Sequence, residues 1–177
     1  MATKILNNII KLLQQMLNNK NIYKKLNQPV ANSKLPFWQT KSLYEMTQKE
    51  WESLCDGCGK CCLEKIEDED SGKVYTTKIS CRLLNLETCK CNEYKNRFQY
   101  MNDCIKLTPK KVYAISWLPK TCAYRLVKEK KPLPLWHPLI TRNPNSTLQA
   151  KQSAKEFAIH PKLMKHHLST YILEENV

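Results

Sequence analysis

The chain has 177 residues, 42% of them hydrophobic, and its 29 basic and 16 acidic residues give a net charge of +13. That length suffices for one domain with a real hydrophobic core and excludes two of comfortable size, so one domain plus extensions is expected. No apolar stretch approaches the roughly 18 uninterrupted residues of a membrane span.

Ile5, Ile9, Leu12 and Met16 recur at three- and four-residue steps, which predicts an amphipathic helix at the start of the chain. Asn7, Asn8, Lys11, Gln14 and Gln15 interrupt any signal-peptide core, and no small-x-small cleavage site follows, so a cytoplasmic, reducing setting is expected. Residues 1–44 hold seven lysines and no acid. With no arginine-rich or aromatic-interleaved stripe beside it, this excess is read as compositional and not as a nucleic-acid interface. The helix is expected to dock on the parent domain or on a protein partner in preference to a membrane surface. Residues 18–36 are polar, end in a proline and read as a linker, which sets residues 1–35 apart.

The core is expected over residues 36–157. Thr47 and Glu50 have the spacing of a capping box, with Met46 as a hydrophobic staple, and predict a short helix running into Cys55. Glu67, Asp68, Glu69 and Asp70 precede Gly72 in a turn, and the β-branched and aromatic run at 74–79 reads as a strand, alone or in a hairpin. A short helix is expected at 92–100. Thr108 followed by Pro109 starts another, stopped by Pro119, and a further helix carries Cys122, Tyr124 and Leu126. Pro132, Pro134 and Pro138 force an extended wrap. Residues 146–157 predict a last helix, with 158–177 as a tail.

Nine cysteines is an odd number, so pairing within one chain cannot use them all. Four fall in eight residues, Cys-Asp-Gly-Cys-Gly-Lys-Cys-Cys at 55–62, together with Gly57 and Gly59, two of only three glycines in the chain. Crowded thiolates repel unless a cation neutralises them, and a backbone wrapping an ion needs the freedom that glycine has. Cys55, Cys58 and Cys61 at two-residue intervals match the three-thiolate run of ferredoxin-type clusters, although the usual following proline is absent. Cys62 is an alternative to Cys61, because adjacent side chains rarely point at one ion. Zinc is the competitor, with Cys89 and Cys91 too close in sequence for a good second knuckle. The four histidines read as surface or packing residues, with His137 the best ligand candidate among them. Cysteine nucleophilic catalysis is disfavoured, and no phosphate-binding loop or dinucleotide fingerprint is present. Taken singly, Cys81, Cys104 and Cys122 could each be a small buried hydrophobe.

An ordered set of motifs resembles one family. The 55–62 run is followed by Glu-Asp-Glu-Asp at 67–70, Ser-Cys-Arg-Leu-Leu at 80–84 and Thr-Cys-x-Cys at 88–91. Then come Tyr94-x-Asn96-Arg97, Asp103-Cys104, Leu107-Thr108-Pro109, Trp117-Leu-Pro-x-Thr-Cys-Ala-Tyr-Arg-Leu126 and Trp136-His-Pro-Leu139. Together they resemble the bacterial YcgN-type subgroup of the CxxCxxCC family, whose members are named as zinc- or iron-chelating proteins. The likeness covers about residues 36–155 and implies metal binding with no established reaction. It implies a shared skeleton of Cys58, Cys61, Cys62, Cys81, Cys91 and Cys104, with Cys55, Cys89 and Cys122 as subgroup features.

The expectation is therefore an α+β domain, mainly helical, with a short strand or hairpin and long irregular segments around a cysteine-ligated metal centre. Its ligands are expected among Cys55, Cys58, Cys61, Cys62, Cys81, Cys91 and Cys104. The cofactor is an iron–sulfur cluster or zinc, with the cluster preferred. Electron transfer, metal handling or sensing is the expected role, and a metal-dependent modifying enzyme the alternative.

Overall fold

The computed structural model describes residues 35–173, so the expected N-terminal helix lies outside the described residues. Where capping signals are complete, the chain does what they specify. Thr47 accepts from the Glu50 amide, and the Glu50 carboxylate accepts in return from Thr47, opening helix α2 (Gln48–Ser53) after the single turn α1 (Phe37–Thr40). Lys41 reinforces the box with an ion pair to Glu50 at 2.7 Å.

The mainly helical expectation is overturned. No helix among the described residues exceeds six residues, and two small antiparallel sheets share the framework. In the first, β1 (Leu63–Glu67) and β2 (Val74–Ser80) form a hairpin around the acidic turn, with an irregularity between Leu63 and Lys65. The second is the short ribbon β3 (Leu84–Asn85) with β4 (Lys90–Cys91). Thr77 bridges Ile172 and Ile79 bridges Ile159, so residues 158–173 run back along β2.

Helices α3 (Arg97–Tyr100), α4 (Pro109–Ala114), α5 (Ala123–Lys128), α6 (Pro138–Thr141) and α7 (Ser146–Gln149) complete the framework. The helix expected over 146–157 stops at Gln149 because Lys151 takes a left-handed conformation at φ 55°, and a separate 3-10 turn follows at Ala154–Glu156. Pro36 onward forms one compact unit. Within it lie two apolar clusters, one of Leu43, Leu54, Val112, Leu118, Tyr124 and Leu126 and their neighbours, the other of Leu63, Leu84, Cys89 and Ala154. The cysteine loop is the shortest covalent link between them: Leu54 lies in the first cluster and Leu63 in the second.

Candidate metal centre

The 55–62 loop is shaped by its glycines and by a side chain. Gly57 at φ 71° and Gly59 at φ 73° turn the backbone into the left-handed region, where a Cβ costs free energy. The Asp56 carboxylate accepts from the Cys58 amide at 3.1 Å, closing a local turn. Lys60–Cys62 then forms a 3-10 turn. Two anchors hold the far side: the Ala154 amide donates to the Cys58 carbonyl at 2.7 Å, and the Cys81 amide to the Cys62 carbonyl at 2.7 Å.

A cavity of about 780 Å³ opens beside the loop, with Cys55, Cys61, Cys62, Cys81 and Cys104 on its wall. Trp51, Trp117, Tyr94, Arg97 and Lys65 also line it. Cys55 and Cys61 are exposed and face this space. Lys65 lies 4.3 Å over the Trp117 ring and donates to the Cys61 and Leu63 carbonyls at 3.1 and 2.6 Å. Arg97 stacks on Tyr94 and Phe98 at 4.1 and 4.4 Å.

The thiols divide by their surroundings. Burial pushes Cys55 and Cys122 up to about 12 and Cys58 well above its ordinary value. The Cys61 and Cys62 sulfurs lie 4.0 Å apart. The Cys62 thiol, then the Lys65 ammonium, pull Cys61 down to about 7 against burial, while the same contact holds Cys62 up. Cys61 is thus the thiol of the pair that ionises first.

Each expected ligand can now be placed. Cys55, Cys58 and Cys61 share one loop. Cys62 and Cys81 are tied by the backbone bond above. Cys91 is set opposite Leu84 by the β3–β4 register, and Cys104 is turned in by its amide bond to the Met101 carbonyl at 3.2 Å. Cys122, absent from the expected ligand set, is the residue before α5, and its charge is felt at Cys55. Its isolation in sequence hid it; the one signal was its place in the Trp117-to-Leu126 motif. Cys89 points into the second apolar cluster, 5% exposed. His137 is 0% exposed and uses both ring nitrogens, Nε2 donating to the Leu54 carbonyl and Nδ1 accepting from the Leu139 amide, each at 3.1 Å. It is a packing residue that fixes the backbone just before Cys55.

Among the described residues no three Cys, His, Asp or Glu side chains are gathered as tightly as one metal ion requires. Four thiolates on one zinc stand roughly 3.8 Å from each other, since each Zn–S bond is about 2.3 Å. A multi-iron cluster places its thiolates on separate irons and spaces them more widely. The donor set, all thiols with both ring nitrogens of His137 engaged elsewhere, fits a thiolate-held group.

Comparison with known proteins agrees with the chemistry of the donors. Residues 54–123 match the CxxCxxCC family, described as a "putative zinc- or iron-chelating domain". The UPF0260 protein YcgN of Salmonella agona is 52% identical over 127 residues, 72% of this chain and 83% of that protein. A UPF0260 protein of Vibrio atlanticus is 52% identical over 126 residues, 71% of this chain and 87% of its own. No solved structure matches the chain.

Proposed function

Since the chain belongs to the UPF0260 family of CxxCxxCC proteins, we propose that it is a metal-binding protein whose cysteines hold an iron–sulfur cluster for electron transfer, metal handling or sensing in the cytoplasm. The observation that carries this reading is the convergence of Cys55, Cys61, Cys62, Cys81 and Cys104, from three separate stretches of chain, on the wall of one cavity. Bound there, a cluster supplies a one-electron couple, and zinc in its place a structural tie. The chain's own contribution is to hold the Cys55, Cys58 and Cys122 thiols protonated, to leave Cys61 readily ionised beside Lys65, and to set the Trp51 and Trp117 rings on the cavity wall.

Anaerobic purification of the full chain, with absorption spectra and iron, sulfide and zinc analysis, tests this. A brown protein with sulfur-to-iron charge-transfer bands and acid-labile sulfide is expected. A colourless protein with stoichiometric zinc sinks the cluster, and a chain that takes up neither sinks metal binding.

The cavity itself favours a second reading, a metal-dependent modifying enzyme with Tyr94 and Arg97 beside the centre. That reading requires the metal-loaded chain to admit a small anion such as phosphate in an Arg97-dependent way. A cavity filled on loading counts against it.

A further inference from the structure

We propose that the cysteines form two centres, with Cys55, Cys58, Cys61 and Cys122 holding one and Cys62, Cys81, Cys91 and Cys104 the other. This rests on the metal-binding reading and adds to it the number of sites, their membership and the ligand Cys122.

The two sets are built by different scaffolds. In the first, three thiols come from one glycine-turned loop, and the fourth is delivered by packing of α5 on α2. The Tyr124 ring lies 4.5 Å from that of Trp51, and its hydroxyl donates to the Trp51 carbonyl at 3.0 Å. Trp51 precedes Cys55 by one helical turn and Tyr124 follows Cys122 by two residues, so this contact brings the two cysteines together. In the second set, the Cys81 amide bonds the Cys62 carbonyl at 2.7 Å and the Asn92 amide bonds the Leu83 carbonyl at 2.9 Å, which brings Cys91 back beside Cys81. Arg82 then reaches across to the Tyr100 carbonyl at 2.5 Å and the Met101 sulfur at 3.2 Å, at the end of α3 three residues before Cys104.

The link between the sets is the adjacent pair Cys61 and Cys62. These sit in a 3-10 turn with their sulfurs 4.0 Å apart, so one ligand of each set lies at the point where the two sets meet. Two sets of four leave Cys89, which is already accounted for in the apolar cluster; a Cβ built on Gly59 would stand 3.1 Å from its Cβ. The odd thiol thereby has a packing role.

Native mass spectrometry of the anaerobic, metal-loaded full chain counts the centres directly. The wild type is expected to carry two, C122S and C104S one each, and C89S both. A double variant within a set, C58S with C122S, should lose no more than one centre, whereas C122S with C104S should lose both. One centre in the wild type, or full wild-type loading in C122S, overturns the partition while leaving metal binding intact. A wild type that binds no metal overturns the parent reading. Should a variant fail to fold, as judged by near-ultraviolet circular dichroism, the wild-type count alone decides.

Discussion

Replacing Gly57 or Gly59 by alanine separates backbone strain from crowding in the loop that carries the first thiols. Both glycines sit at nearly the same left-handed φ, 71° and 73°, so both substitutions incur the same conformational penalty, about 1–2 kcal/mol. Their surroundings differ. A Cβ on Gly57 meets nothing within 4 Å, whereas one on Gly59 lies 3.1 Å from the Cys89 Cβ, 3.4 Å from its sulfur and 3.5 Å from the Ala154 Cβ. Those neighbours are buried in the second apolar cluster and cannot swing away, so overpacking adds about 1–3 kcal/mol. Gly57→Ala should therefore cost about 1–2 kcal/mol and Gly59→Ala roughly 2–5 kcal/mol. Urea unfolding of the metal-free, reduced chain gives both values from the midpoints at a common slope. Equal losses for the two variants would refute the crowding argument, and no loss for Gly57→Ala would refute the backbone argument.

Three further outcomes follow from side chains at the same loop. His137→Ala should cost on the order of 3 kcal/mol, because it opens a cavity and orphans the Leu54 carbonyl and Leu139 amide; urea unfolding against wild type checks it. Burial holds the His137 pKa below its ordinary 6.5, so the unfolded chain binds the proton more tightly than the native one. Stability from this residue is present above pH 6.5 and falls as the pH drops below it, a slope that His137→Ala should flatten. Alkylation of Cys61 in the metal-free chain, followed by peptide mass spectrometry, should show a midpoint near pH 7; Cys62→Ala should raise it more than Lys65→Met, since the neighbouring thiol acts more strongly than the ammonium. Tyr124→Phe should cost about 1 kcal/mol in the same unfolding assay through loss of the bond to the Trp51 carbonyl.

Local signals with a complete mechanism were readable from sequence, and those that depend on distant partners were not. The capping box at Thr47 and Glu50 and the cap at Thr108 are formed as their spacing implies. The mainly helical expectation failed at the helix ends. A chain with three glycines has few residues to mark a C-terminus, and here Lys130, Arg142 and Lys151 take the left-handed conformation after α5, α6 and α7. Nothing in a lysine announces that stop, so the helix expected over 146–157 runs past Lys151 in the sequence reading, whereas the chain ends it at Gln149. The sequence leaves strand β1, Leu-Glu-Lys-Ile-Glu, open as the other arm of a hairpin, because its partner β2, not its own composition, makes it a strand. The crowding of thiols at 55–62 was visible at once. The position of Cys122 beside that loop depends on Tyr124 packing on Trp51, a contact between residues 73 apart in the chain.

That long-range contact also explains why the thiols stand where they do. The loop begins at Leu54 in one apolar cluster, held by His137, and ends at Leu63 in the other, held by the bonds from Ala154 and Cys81. With no helix beyond six residues among the described residues, neither cluster has long described elements to brace it against its neighbour. On the proposed reading, a metal held by thiolates from the 55–62 loop, the 81–104 stretch and Cys122 would close loops of tens of residues across this seam, the type of cross-link that removes most entropy from an unfolded chain. Burial keeps Cys55, Cys58 and Cys122 protonated without metal, so loading must expel their protons. Acidification should therefore release the metal before it unfolds the chain, and the metal-free state should melt below the loaded one. Coincident loss of metal and fold at every pH would mean that the clusters have no stability of their own and that the metal alone joins them.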